Sequence, residues 1–119
     1  MNSITQEQTN TIKIFIDDER ECPEGFLYAK TFEEAQNLLL TYKDMLLFVT
    51  LDNDLNQGFK KTGIQLFSFM EKNKIYPLRI NCHTGSFPEI MAEVAKELLP
   101  ETTIITTNQT PPYDKQKIK

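Results

Sequence analysis

Met45-Leu46-Leu47-Phe48-Val49-Thr50-Leu51-Asp52-Asn53-Asp54 runs almost without a polar side chain and then breaks into carboxylates. A continuous apolar run of this kind is what a central strand of a parallel sheet needs, because helices covering both faces leave it no solvent-facing side. It predicts a strand over 45–51 that ends at an acidic turn. The same order of residues occurs earlier in the chain. Ile12-Lys13-Ile14-Phe15-Ile16 reads as a strand and runs directly into Asp17-Asp18-Glu19.

Between these two runs lie a polar stretch broken by Pro23 and Gly25, a short apolar segment Phe26 to Lys30, and a helix signal. Thr31 and Glu34 have the spacing of a capping box, and Phe32, Ala35, Leu38, Leu39 and Tyr42 recur at helical intervals, predicting a helix over 32–43. The connection from the first strand to the second is too short for a full crossover helix, so one face of the sheet is expected to be thinly covered. Downstream, the loop 53–61 precedes Thr62, which caps a helix carrying Ile64, Leu66, Phe67, Phe69 and Met70. Leu78 to Cys82 predicts a fourth strand ending at His83-Thr84-Gly85-Ser86. A helix opens at Phe87-Pro88-Glu89 with Ile90, Met91, Val94, Leu98 and Leu99 on its buried side, and Pro100 stops it. Thr103 to Thr106 predicts a fifth strand.

Strands alternating with helices in this way predict an α/β sandwich on a mainly parallel sheet of order 2-1-3-4-5, with the first crossover helix reduced or absent. The boundaries read as a flexible leader over 1–11, one domain over 12–107 and a polar tail over 108–119. At 119 residues the chain is long enough for a single core. Hydrophobic residues make up 39% and charged residues 25%, a globular balance, and 13 basic against 17 acidic residues give a net charge of −4. No basic stripe marks a nucleic-acid footprint, so nucleic acid is not an expected partner. No segment has the length or apolarity of a membrane span or signal peptide, so a cytoplasmic chain without a membrane partner is expected. Cys22 and Cys82 are then expected to be reduced thiols. The sequence leaves the oligomeric state open.

In a sheet of this order the first and third strands are neighbours. Their carboxyl ends would bring Asp17, Asp18 and Asp52 within reach of one ion at the rim where open α/β sheets bind ligands. Converging carboxylates without a fixed countercharge repel one another, so the set points to a bound cation or to raised pKa values. An all-oxygen set suits a hard divalent ion, Mg²⁺ or Mn²⁺, which leaves coordination positions open for phosphate oxygens. Asp54 either joins the ligands or forms a turn. The sole histidine, His83, and Thr84 end the neighbouring fourth strand and are expected to face the pocket, His83 as acid, base or phosphate ligand. Arg20, Thr84 and Ser86 are the candidate phosphate-binding residues. The bland alternative is a solvated acidic rim.

Paired acidic residues after the first strand, Asp52 after the third and the hydroxyl of Thr84 after the fourth resemble the receiver domain of response regulators. Receivers, however, carry Lys-Pro after the fifth strand, where this chain reads Ile104-Ile105-Thr106-Thr107-Asn108-Gln109. A closer resemblance is to the cyclic-phosphate processing receiver-like family. Its motifs are matched by Asp17-Asp18-Glu19-Arg20-Glu21-Cys22-Pro23-Glu24-Gly25, by Thr31-Phe32-Glu33-Glu34-Ala35, by Leu51-Asp52-Asn53-Asp54-Leu55 with Thr62-Gly63, and by His83-Thr84-Gly85-Ser86-Phe87-Pro88. The resemblance spans about Ile12 to Leu99 and implies a flavodoxin-like, receiver-like sandwich that handles cyclic phosphates or nucleotides. Asn53 stands where the family has histidine, and the last motif carries an extra residue before Pro88.

Two functional readings follow. In the first, Asp17, Asp18, Asp52 and Asp54 supply metal ligands and the chain hydrolyses a small cyclic phosphate or nucleotide, with Asp52 and His83 as catalytic groups. In the second, a receiver-like signalling or sequestering module binds metal and phosphate without turnover.

Overall fold

A computed structural model of the chain describes residues 10–85 and 87–110. Ser86, the leader before Asn10 and the tail after Thr110 lie outside the described residues. The elements are β1 (Ile12–Ile16), β2 (Leu27–Ala29), α1 (Phe32–Thr41), β3 (Leu46–Leu51), α2 (Gly63–Asn73), β4 (Arg79–Cys82), α3 (Pro88–Leu98) and β5 (Ile104–Thr107). All four strand pairings are parallel and the order is β2-β1-β3-β4-β5, as the alternation of elements predicted.

From β2 onward every crossover steps in the same direction across the sheet, so right-handed connections place α1, α2 and α3 on one face. The core has that composition. Ile14, Ile16, Ala29, Val49, Leu51, Ile80 and Cys82, the strand residues of one parity, join Ala35, Leu39, Leu66, Phe67, Met70, Met91, Ala92 and Ala95 from the helices in a single buried cluster. Within α3 the buried side is Met91, Ala92 and Ala95, whereas Ile90, expected to be buried, is 57% exposed. The small side chains of Ala92 and Ala95 turn inward and rotate Ile90 outward.

No helix among the described residues covers the opposite face. The long apolar run of β3 therefore has a different explanation from the helices expected on both sides. Its second face, with that of β1, is sealed by aromatic packing. Phe26, from the β1–β2 loop, meets Phe15 edge-on at 6.5 Å and Phe48 at 5.8 Å. Lys13 lies over Phe26 at 5.0 Å and Arg79 over Phe48 at 4.4 Å, so the cations cap the ring layer while their charges stay near solvent.

Hydrogen bonds to the sheet reach beyond both ends of the expected 12–107 span. The Asn10 side-chain amide donates to the Leu46 carbonyl at 2.9 Å. The Asn108 N–H donates to the Cys82 carbonyl at 3.0 Å, and Gln109 folds back onto β4. Both cysteines are free thiols, and burial pushes Cys82 up to about 12, which leaves it inert at neutral pH. No helix among the described residues is long and apolar enough to cross a membrane.

Candidate functional site

Asp17 leaves β1 at the carboxyl rim, and its side chain is fully buried. Its Oδ1 accepts the backbone N–H groups of Glu19 at 2.8 Å and Arg20 at 2.9 Å, which closes the turn after the strand. Its Oδ2 lies 2.8 Å from His83 Nε2. Burial alone would raise the carboxyl, but the His83 hydrogen bond and the two backbone donors outweigh it and hold Asp17 at about 2. Three of the carboxylate's four lone-pair positions are used in this way. The fourth position, on Oδ2, takes no hydrogen bond, and Arg20 Nε lies 3.8 Å from that oxygen.

His83 is 2% exposed and has partners at both ring nitrogens: Nε2 at Asp17 and Nδ1 at 2.7 Å from Thr50 Oγ1. Its ring stacks on Phe15 with centroids 4.9 Å apart and planes within 8°. The expectation that His83 faces the pocket as acid, base or phosphate ligand is therefore corrected. Strand parity places it beside Asp17 on the helix-free face, buried, where it orients Asp17.

Asp52 ends β3, half-buried, and its shift runs opposite to that of Asp17. Burial raises it and the charge of Asp17 raises it further, while a hydrogen bond from the Thr84 side chain only partly compensates. Thr84 is itself buried, so its hydroxyl serves Asp52 rather than an open phosphate site. Asp17, Asp18 and Asp52 each offer a ligand atom within 4.8 Å of the other two. Around an octahedral Mg²⁺ with bonds of ~2.1 Å, opposite ligands lie about 4.2 Å apart and adjacent ones about 3 Å, so the three carboxylates would draw together around an ion. The donor chemistry fits a hard divalent cation.

Asp54 does not belong to that trio. It is exposed, and its Oδ1 accepts the Asn56 N–H at 2.8 Å, the turn-forming alternative, where Asn56 takes a left-handed φ of 62°. It does line, with Asp18, Glu19, Asp52 and Asn56, a shallow pocket of about 140 Å³. That volume suits a hydrated ion or a phosphate rather than a whole nucleotide. Arg20 has a side chain 52% exposed, with Nε 3.8 Å from Asp17 Oδ2 and Nη1 3.5 Å from the His83 carbonyl. It is a half-exposed cation beside Asp17. Ser86 lies outside the described residues.

Asn53, noted in the sequence as standing where the family has histidine, accepts the Ile64 N–H with its Oδ1 at 2.9 Å and the Gly63 N–H with its carbonyl at 2.8 Å, so it caps α2. Sequence reasoning missed two residues that build the site, Thr50 and Asn81, fully buried polar residues inside strands. Their signal was present as polar letters at inward positions of the runs LLFVTL and RINC.

Gly63 fixes how closely α2 approaches the site. A Cβ there would meet the Asp52 carbonyl oxygen at 2.4 Å, Met91 Cε at 2.6 Å and Asn53 Cα at 3.0 Å. Gly-to-Ala in a helix ordinarily gains up to about 1 kcal/mol. At Gly63 the backbone of the acidic turn cannot yield, so Gly63→Ala should instead cost roughly 1–3 kcal/mol in a urea melt. A stabilised variant would show that α2 does not brace Asp52.

The family model of the cyclic-phosphate processing receiver domain matches residues 12–99, from the first residue of β1 to the cap of α3. The chain belongs to this family. No curated protein and no solved structure gives a significant match. The matched span includes Asp17, Asp18, Asp52 and His83, and ends before β5, the strand at which the likeness to signalling receivers also fails.

Proposed function

We propose that the chain binds Mg²⁺ or Mn²⁺ through Asp17, Asp18 and Asp52 and uses the site to hold and hydrolyse a small cyclic phosphate or cyclic nucleotide. The observation that carries this reading is the trio of carboxylates within 4.8 Å in a member of a cyclic-phosphate processing family. The bound ion would polarise a phosphoryl oxygen and lower the pKa of an attacking water. The chain's own residues prepare the place for it. Asp17 is held ionised and oriented by His83 and two backbone amides, Asp52 is steadied by Thr84, and Arg20 presents a guanidinium to the phosphate from the pocket edge. In the reaction, water adds to phosphorus, one ester P–O bond of the ring breaks, and the leaving oxygen takes a proton from solvent on the open side. Asp54 is an outer-rim group in this scheme, and His83 a positioning residue.

A second reading, binding without turnover, is favoured by one specific observation. The one group expected to serve as leaving-group acid is engaged elsewhere, since His83 is bonded to Asp17 and Thr50, and position 53, where the family has histidine, holds an asparagine that caps α2. One experiment separates the readings. Cyclic mono- and dinucleotides are incubated with the protein and Mn²⁺, products are followed by chromatography, and melting is measured in parallel. Metal-dependent opening of the phosphate ring supports hydrolysis. A metal-dependent rise in melting temperature with the ligand recovered intact supports the binding module. Neither effect with any ligand would leave the acidic set a solvated rim.

A further inference from the structure

On the helix-free face the register aligns Phe15, Thr50, Asn81 and Thr106 in one row across β1, β3, β4 and β5. Thr50 and Asn81 are fully buried at its centre. Burying a hydroxyl and a carboxamide is costly unless both are bonded, and an apolar pair of the same shape would serve stability about as well. What this pair supplies in addition is direction. Asn81 Nδ2 donates to Thr50 Oγ1 at 3.0 Å, which turns the Thr50 hydroxyl hydrogen toward His83 Nδ1, 2.7 Å away. Nε2, the nitrogen 2.8 Å from Asp17 Oδ2, is the one the carboxylate needs as a donor. The other tautomer would set a nitrogen lone pair against a carboxylate oxygen.

The row continues outward from Asn81. Its Nδ2 also donates to the Gln109 carbonyl at 3.0 Å, and its Oδ1 accepts the Gln109 N–H at 3.1 Å and the Thr106 hydroxyl at 2.9 Å. The Gln109 side chain accepts from Arg79 Nη2 at 2.6 Å. All hydrogen-bonding positions of the Asn81 amide are filled, two of them by the backbone of the segment that follows β5. If that segment lifts, a buried amide loses two partners and its fixed orientation.

We propose that Thr50 and Asn81 are positioning residues for the cation site, and that the relay Asp17–His83–Thr50–Asn81–Gln109 couples cation binding to the seating of residues 108–110. This rests on the metal reading above for its ligand, though not for the relay itself. The chain of bonds crosses three neighbouring strands and joins the pocket to a segment on the far side of the sheet centre, so neither end needs to touch the other. Coupling of this kind is reciprocal: whatever factor the seated segment adds to cation affinity, the cation adds to the seating.

The test is a calorimetric titration with Mn²⁺ combined with hydrogen exchange at the Gln109 amide, using the Ile105 amide as a control. In the unmodified chain Mn²⁺ should slow exchange at Gln109 more than at Ile105. Thr50→Val, which removes only the hydroxyl at constant shape, should weaken Mn²⁺ binding roughly 10–100-fold, the range typical of lost outer-shell partners. It should also abolish the metal effect on Gln109. Thr50→Ser, which keeps the hydroxyl, should restore affinity. A merely structural Thr50 would lower the melting temperature without changing affinity. Unchanged affinity in Thr50→Val, or Mn²⁺ binding that leaves Gln109 exchange unaffected in the unmodified chain, overturns the proposal. If no chain binds Mn²⁺ at millimolar concentration, the metal reading falls, and the relay is judged without metal. Asp17→Asn should then speed exchange at Gln109 by a larger factor than at Ile105, which follows the global loss of stability, and an equal increase at the two amides would overturn the relay as well.

Discussion

Asp17→Asn is expected to destabilise the metal-free protein by about 2 kcal/mol or more at neutral pH, the larger of two opposite effects at the acidic site. The carboxyl is held at about 2, below its ordinary value of 3.8, despite being buried. A group depressed in the folded state contributes stability that is present above its unfolded pKa and lost as pH falls through its folded one. Here that window runs from about 4 down to about 2. The stability difference between the two proteins should therefore be nearly constant from neutral pH down to about 5 and shrink below 4 as Asp17 in the unmodified chain takes up a proton. The carboxamide also has one acceptor oxygen where the site offers two backbone N–H groups on one side and His83 on the other, so at least one donor loses its partner whichever way it points. Urea melts of both proteins at pH 7 and near pH 2.5 measure this. A difference below about 0.5 kcal/mol at pH 7 would mean that the buried network does not hold the fold at this point.

Asp52→Asn should behave in the opposite way. Burial and the charge of Asp17 raise the Asp52 carboxyl, so its ionised form opposes folding. For a raised group the favourable contribution is complete below the unfolded pKa and is lost as pH rises through the folded one. The metal-free protein at neutral pH therefore carries an uncompensated repulsion. Replacing Asp52 with asparagine removes that charge and keeps an acceptor for Thr84, so metal-free stability should be unchanged or slightly higher. The response to metal should disappear. In the unmodified chain a cation at 100 times its dissociation constant adds roughly 2.7 kcal/mol, and in Asp52→Asn it should add almost nothing. Thermal melts of both proteins in Mg²⁺ and in chelator decide the matter. Equal melting temperatures for the unmodified chain in the two conditions, at millimolar metal, would remove the shared cation site.

These two aspartates, both placed after strands by the sequence, differ in sign for reasons of surroundings. Asp17 receives the His83 ring and two backbone amides, whereas Asp52 faces the charge of Asp17 with Thr84 as its main side-chain donor. No local pattern carries that distinction, since it depends on which donors the fold brings to each carboxylate.

The order of the sheet, its parallel sense and the convergence of Asp17, Asp18 and Asp52 were legible in the sequence. Strand period, the capped helices and the acidic breaks after apolar runs are local signals, and the topology rules for parallel crossovers leave little freedom in combining them. The motif around Asp17 to Gly25 likewise carried the family. The direction in which side chains point was not legible. His83 lies on the face opposite the helices and is committed to Asp17 and Thr50, and Asn53 is committed to the start of α2. Thr84 serves Asp52, and Asp54 folds into its own turn. Each of these outcomes depends on cross-strand register and on partners 11 to 66 residues away, apart from the turn at Asp54. Sequence spacing brings a residue to the rim of a sheet. Only the packed structure, by filling the hydrogen-bonding positions of every buried polar group, decides which of those residues remain open to a ligand.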